Sequence, residues 1–255
     1  MSLRFHEIAE GRHRILNPIT DAKLDLLGEV TRLRPGMRQL DLASGKGEML
    51  CRWAAAHGVE GVGVDISHVF HAAALARAAE LGVEDKVRFE RAEAAHYAAG
   101  AKGADYDLVS CIGATWIGGG LTGTLDLMIP ALAEGGTLLV GEPYWIDEPP
   151  PEAYEALGME PGEFTSLGGI LERFESCGVE LVEMVLADGD SWDRYMASQW
   201  WSLTEHLAAE PADPEADEIQ KFLDRARSSH LMYGRRYLGW GVFVLKRPKG
   251  RPPGR

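Results

Sequence analysis

Leu40-Asp41-Leu42-Ala43-Ser44-Gly45-Lys46-Gly47-Glu48 is the stretch on which the reading of this chain turns. A short strand, Gln39 to Leu42, runs into a glycine-rich turn. A helical pattern follows from Glu48 to His57, with Met49, Leu50, Trp53 and Ala54 on one side and Gly58 as its stop. Glycines in such a turn let the backbone approach a ligand closely. Asp65 stands 20 residues after Gly45, at the end of the next strand, Gly61 to Asp65. There a carboxylate can accept hydrogen bonds from both hydroxyls of a ribose. Its other reading is a cap for the helix that follows.

Outward from this stretch the alternation continues. Ser67 is a good N-cap for a helix through Leu81, and Gly82 suits its C-terminal end. Further strands are expected at Lys86–Ala92, Tyr106–Ile112, Thr137–Gly141, Val179–Leu186 and Gly241–Leu245. Leu121, Leu125, Met128 and Leu132 form a helical stripe ended at Gly135, and Leu167, Ile170, Leu171 and Phe174 form another, closed by Gly178. Strands separated by helices imply parallel pairing in an open, doubly wound sheet. Two regions break the pattern. Residues 1–35 are polar and helical in character. Residues 188–238 carry Trp192, Tyr195, Met196, Trp200, Leu203 and Leu207 at helical spacing, and a second helix is expected to start at Asp213-Pro214-Glu215. Both regions are read as caps over the strand ends, where such sheets bind ligands. The core is then 36–187 and 239–247, within one domain, and 248–255 is a disordered tail.

Composition narrows the function classes. The chain has 255 residues, 45% apolar and 25% charged, ordinary for a globular protein that buries its own core. No apolar run approaches the ~20 residues of a membrane span, and the first residues lack a signal-peptide core. A cytoplasmic setting and no membrane partner are expected. Cys51, Cys111 and Cys177 are odd in number and scattered, which suits a reducing compartment and offers no metal-ligand spacing. The net charge is −13, and the last ten residues contribute five positive charges, so the remainder stands at −18. A body that acidic repels phosphate backbones, which argues against nucleic acid as partner.

The glycine-rich turn does not suit a dinucleotide. The G-x-G-x-x-G fingerprint asks for a third small residue three positions after Gly47, and Leu50 stands there. Glu48 opens the helix where a pyrophosphate would sit. S-adenosylmethionine has no phosphate, and its sulfonium is positive, so an acidic turn with Asp41 and Glu48 tolerates it better.

The run Leu40 to Gly47 resembles the first motif of class I methyltransferases, L-D-L-G-x-G-x-G in its common form. Asp65 matches the acidic residue of their second strand, with Ile66 beside it. Ala92-Glu93-Ala94 matches the place where an acidic residue meets the adenine amino group. Cys111-Ile112-Gly113 matches the fourth-strand end beneath the reactive methyl, and Leu132 to Thr137 resembles the turn that follows. The resemblance covers roughly residues 34–142. It departs at Ala43, where the family usually has Gly, at Glu93, often Asp, and at the turn 133–136, which lacks the usual Pro. It implies a Rossmann-like, mostly parallel seven-stranded sheet with helical cap insertions. It also implies S-adenosylmethionine as cofactor, with S-adenosylhomocysteine as product. Asp41, Ala43, Ser44, Gly45, Gly47, Asp65, Ile66, Ala92, Glu93, Ala94, Cys111 and Gly113 would hold the cofactor. Longer stretches, His13 to Pro18, Gly113 to Trp116, Gly141 to Trp145, Trp192 to Tyr195 and Gly239 to Phe243, resemble a little-characterised bacterial branch of these enzymes.

The acceptor is expected to be a small molecule, with Asn17, Trp116, Tyr144, Trp192 and Tyr195 in its pocket. Trp116 can wall that pocket and attract a sulfonium through its ring face, or simply pack. Glu142 can take a proton from the acceptor or hold a loop. The histidines are scattered and none is assigned as a base. The alternatives are a protein that binds S-adenosylmethionine without catalysis and, on fold alone, an NAD(P)-dependent oxidoreductase.

Overall fold

A computed structural model describes residues 2–248. The tail expected at 248–255 therefore lies, apart from Pro248, outside the described residues. In chain order the strands are β1 (Arg38–Leu42), β2 (Glu60–Asp65), β3 (Val87–Arg91), β4 (Tyr106–Ile112), β5 (Leu132–Trp145), β6 (Glu180–Leu186) and β7 (Leu238–Lys246). The helices are α1 (Leu3–Ala9), α2 (Asp21–Val30), α3 (Glu48–His57), α4 (His68–Leu81), α5 (Ala94–Gly100), α6 (Leu121–Met128), α7 (Pro151–Leu157), α8 (Leu167–Ser176), α9 (Gly189–Ala209) and α10 (Ala216–Ser229).

The described residues fall into two units. The core unit comprises 21–142, 168–186 and 241–248, and the helical unit 2–20, 143–167 and 187–240. In the core unit a seven-stranded sheet runs in the order β3-β2-β1-β4-β5-β7-β6. β1 to β5 pair in parallel and β6 runs antiparallel to β7. This is the Rossmann-like α/β sheet expected from the sequence. Its central strands are apolar on both faces, since Leu40, Leu42, Val64, Leu108, Val109, Leu138 and Val140 are all fully buried, as parallel sheets covered by helices require. The chain fills one side of β1 with β2 and β3 and then crosses to β4, which places the topological switch between β1 and β4.

Four expectations about the elements are corrected. The stripe from Leu121 does not continue as one helix to Gly135. α6 stops at Met128, a single 3-10 turn with Pro130 follows, and β5 starts at Leu132 and reaches Trp145. Pro130 has no N–H to extend the helix, and Gly135, at φ 75°, breaks the register between Tyr106 and Leu108. The last insertion helix starts at Ala216 with Glu215 at its N-cap, not with Asp213 as cap; the Asp213 carboxylate accepts from Arg4 and from the Glu215 N–H at 3.0 Å and pairs with His206. The first 35 residues are not one cap. α2 belongs to the core unit, where Trp53 Nε1 donates to Leu24 O at 3.4 Å and Arg52 pairs with Asp21 and Asp25, both at 2.5 Å. Residues 143–167, expected in the core, fall in the helical unit.

The helical unit has its own core. Ala9, Leu203, Ile219 and Leu223 are buried together, with Phe5, Ile8, Trp200, Leu207 and Phe222 packed against them. Asp188 and Ser191 form a reciprocal capping box that starts α9. Beneath this helix lies Glu10, a carboxylate with no exposed surface. It accepts from Tyr195 Oη at 2.5 Å and Gln199 Nε2 at 2.7 Å, and its other oxygen pairs with His13 Nδ1 at 2.8 Å. The His13 ring stacks on Tyr195 with centroids 4.7 Å apart. Among the described residues no helix is long and apolar enough to cross a membrane.

Candidate cofactor site at the switch point

Ligands of open α/β sheets bind outside the carboxyl ends of the strands at the topological switch, and the residues expected to hold the cofactor lie at that edge of the core unit. β1 ends in a turn built from left-handed residues: Ala43 at φ 55°, Gly45 at 55° and Gly47 at 68°. Its backbone is pinned by Ser44 N–H donating to Val64 O at 2.9 Å and Gly47 N–H to Ser44 O at 3.0 Å. Gly47 cannot be replaced cheaply, because a Cβ there would lie 2.5 Å from Phe89 Cζ and 2.9 Å from Ala74 Cβ. Leu50, in the position that the dinucleotide fingerprint reserves for a small residue, is wholly buried core. Ala43 bears the strain at the position where Gly is usual: an L-residue in the left-handed region costs roughly 1–2 kcal/mol.

Asp65 ends β2 with both oxygens engaged. Oδ2 accepts from Gly45 N–H and Oδ1 from Ser67 N–H, each at 2.8 Å. The carboxylate therefore ties the glycine turn to the start of α4. Capping of α4 itself falls to Ser67, whose hydroxyl accepts from Phe70 N–H at 3.0 Å. Carboxylate oxygens have further lone pairs, so the backbone bonds orient Asp65 without exhausting it. Ile66, next to it, is 60% exposed, an apolar surface beside a polar anchor. Ala92 N–H donates to Asp65 O at 3.1 Å, which brings the β3 end alongside. Glu93 is exposed and occupies the N-cap of α5 without a side-chain cap bond, while Ala94 is buried.

Two buried carboxylates flank the end of β4. Asp41 is opposite Ser110 in the parallel register and accepts from its hydroxyl at 2.6 Å. Burial pushes its pKa up to about 7, against the Ser110 bond that lowers it, and the nearby Asp65 charge raises it further. Glu142, 1% exposed, accepts from Thr115 Oγ1 at 2.6 Å. Cys111 lies fully buried near both, and burial together with these carboxylates moves its thiol far above the usual range. It is no nucleophile. Gly113, at φ 73°, donates to Gly141 O at 2.9 Å.

One electrostatic expectation is corrected. Glu48 is not an open negative charge at the helix start. It is 6% exposed, and Arg77 holds it in a bidentate pair at 2.7 and 2.9 Å. The sequence reading also missed Ser110, Thr115 and Arg77. Ser110 left a signal, a lone hydroxyl inside the apolar run Leu108 to Ile112. Arg77 left none, because nothing local distinguishes it from a solvated helix residue.

The residues expected in the acceptor pocket divide between the two units. Trp116 is 71% exposed on the turn after β4. In the helical unit Tyr195 is committed to Glu10, Asn17 and Trp192 are partly exposed, and Tyr144 is 8% exposed with its ring pressed against Gly239. In the core unit a cleft of about 330 Å³ opens among Arg38, Glu60, Lys86 and Tyr106, at the amino ends of the strands.

Comparison with known proteins gives this edge a context. A profile described as a methyltransferase domain matches residues 40–136. The crystal structure of an S-adenosylmethionine-dependent methyltransferase from Geobacter sulfurreducens, in complex with S-adenosylhomocysteine, is 44% identical, covers 97% of this chain and 99% of its own, and superposes with a TM-score of 0.91. A counterpart from Thiobacillus denitrificans, also in complex with S-adenosylhomocysteine, is 42% identical, with the same coverage and TM-score. An uncharacterised protein of Escherichia coli K12, YjhP, is 45% identical over 244 residues, 95% of this chain and 97% of its own length.

Proposed function

This chain belongs to the S-adenosylmethionine-dependent methyltransferases, and from that premise we propose that it binds S-adenosylmethionine at the switch point and methylates a small-molecule acceptor. The observation that carries the reading is the left-handed turn 43–47 tied by Asp65 to the end of β2, in a chain 44% identical to a protein crystallised with S-adenosylhomocysteine. The residues fit such a ligand. The turn offers close backbone approach, Asp65 a ribose anchor, Ile66 an apolar surface for a base, and Asp41 a carboxylate for a cationic group. When bound, S-adenosylmethionine supplies an already activated methyl group. The protein's part is then to bind, orient and keep out water.

In this reading Asp41, Ala43, Ser44, Gly45 and Gly47 hold the amino-acid end, Asp65 the ribose, and Ile66, Ala92, Glu93 and Ala94 the adenine. Cys111 and Gly113 form the floor under the methyl group. Asn17, Trp116, Tyr144, Trp192 and Tyr195 serve the acceptor in this reading. The acidity of the chain, net −13, favours a neutral or cationic small molecule over nucleic acid. Free Cys51, Cys111 and Cys177 suit a cytoplasmic setting.

The test is calorimetric titration with S-adenosylmethionine, S-adenosylhomocysteine and NADH on wild type and Asp65→Ala. Loss of charged hydrogen bonds worth about 2–3 kcal/mol should weaken adenosyl binding about 30- to 160-fold. Binding of NADH alone would overturn the assignment. Donor binding with no transfer in a broad acceptor screen would leave a donor-binding protein without catalysis.

A further inference from the structure

Trp116 presents an exposed ring on a tightly held turn. The side chain is 71% exposed, yet the turn that carries it is fixed from both sides. Below, Thr115 Oγ1 donates to the buried Glu142 at 2.6 Å. Alongside, Thr124 Oγ1 donates to Thr115 O at 2.6 Å, and Gly120 N–H reaches the same carbonyl at 3.0 Å. Gly119 N–H closes the turn onto Trp116 O at 3.0 Å. Gly118 lies so close to the backbone of Gly123 and Thr124 that neither Gly118 nor Gly123 could carry a side chain without displacing it. A loop that merely connected β4 to α6 would need neither a buried carboxylate nor an exposed indole. The turn follows directly from Gly113 at the carboxyl end of β4, where Asp41 and Glu142 make the surroundings acidic. An indole face attracts a cation, and more strongly where water is thin. The sulfonium of the donor is positive, whereas the thioether of the product is neutral.

We propose that Trp116 distinguishes the charged donor from its neutral product, and that Glu142 is a positioning residue which, through Thr115, sets the indole for that task. This rests on the reading of the switch-point edge as the S-adenosylmethionine site. It gives the enzyme a means of exchanging spent for fresh cofactor, since transfer of the methyl group abolishes the charge on which the attraction depends. Of the two roles read for Glu142, proton acceptor and loop anchor, it gives the second.

The experiment measures dissociation constants of S-adenosylmethionine, S-adenosylhomocysteine and sinefungin, an amine-bearing and therefore cationic analogue, by calorimetry. The proteins are wild type, Trp116→Ala, Trp116→Phe, Thr115→Val and Thr115→Ser. Replacing an exposed side chain leaves the fold intact, so Trp116→Ala reports on binding alone. Expected is a loss of about five- to tenfold for the two cationic ligands with S-adenosylhomocysteine changed less than about twofold. Trp116→Phe and Thr115→Ser should retain most of the preference, and Thr115→Val should lose it in the same direction. A purely structural role would weaken all three ligands together, and that result, or an unchanged ratio in Trp116→Ala, overturns the proposal while leaving the cofactor assignment standing. Absence of binding by wild type would remove the assignment itself and the proposal with it.

Discussion

Replacing Asp41 by Asn should change how stability depends on pH. The carboxylate is 3% exposed and accepts one short bond from Ser110. Its pKa stands at about 7 against a usual 3.8, chiefly because burial disfavours the charged form. The native state therefore holds this proton more tightly than the unfolded chain does. Its contribution is fully present below the unfolded pKa and is lost as pH rises through the folded one. A rise from 3.8 to about 7 corresponds to roughly 4 kcal/mol at 1.36 kcal/mol per pH unit. Asn keeps an acceptor for the Ser110 hydroxyl but does not titrate. Urea unfolding of wild type and Asp41→Asn at intervals from about pH 4 to about pH 8 isolates the effect, because other titrating groups cancel in the difference. Wild type should lose on the order of 4 kcal/mol relative to the variant across that range. A difference flat to within about 1 kcal/mol would refute the reasoning, since it would mean that Asp41 is solvated and ionised throughout. A cationic ligand should hold Asp41 ionised, so S-adenosylmethionine affinity should rise with pH near neutrality in wild type and not in the variant.

Gly47→Ala should cost about 3 kcal/mol, from a left-handed φ and a Cβ driven into Phe89 and Ala74, and should abolish S-adenosylhomocysteine binding; thermal unfolding and calorimetry check both. Ala43→Gly should leave stability unchanged or raise it by up to about 1 kcal/mol, because relief of φ 55° offsets the greater freedom of glycine in the unfolded chain; a clear loss in chemical denaturation would contradict this. Arg77→Met removes the bidentate partner of the buried Glu48 carboxylate, leaving Arg52 at 3.9 Å, and should lower stability by about 2 kcal/mol, with most of the loss recovered in the double variant Glu48→Gln/Arg77→Met, as a double-mutant cycle would measure.

The helical unit illustrates why a sequence reveals helices more readily than sites. The periodicity of Trp192, Trp200, Leu203 and Leu207 predicts an amphipathic α9, and Leu203 is indeed at the centre of a buried cluster. The same periodicity says nothing of Glu10, 185 residues from Tyr195 in sequence and joined to it by a hydrogen bond. Glu10 sits in a polar N-terminal stretch and looks like any solvated acid until α9 covers it. Glu48 misled in the same way. Its position at a helix start suggested an open charge, whereas Arg77, one turn from the end of α4, neutralises it.

Local chemistry determined the elements of the core and the cofactor edge. Glycines and Ala43 mark the turn because only left-handed backbone closes it, and the alternation of strands and helices leaves the doubly wound sheet as the arrangement that buries both faces of β1, β4 and β5. Asp65 at the end of β2 was legible for the same reason, since its place depends only on the length of one strand–helix–strand unit. The partners of the charges were settled by the tertiary structure alone. The Ser110–Asp41, Thr115–Glu142 and Arg77–Glu48 pairs join residues 69, 27 and 29 positions apart. Burial decides whether such a group is solvated, shifted in pKa or held as an anchor, and burial is a property of the packed elements rather than of the residues in line.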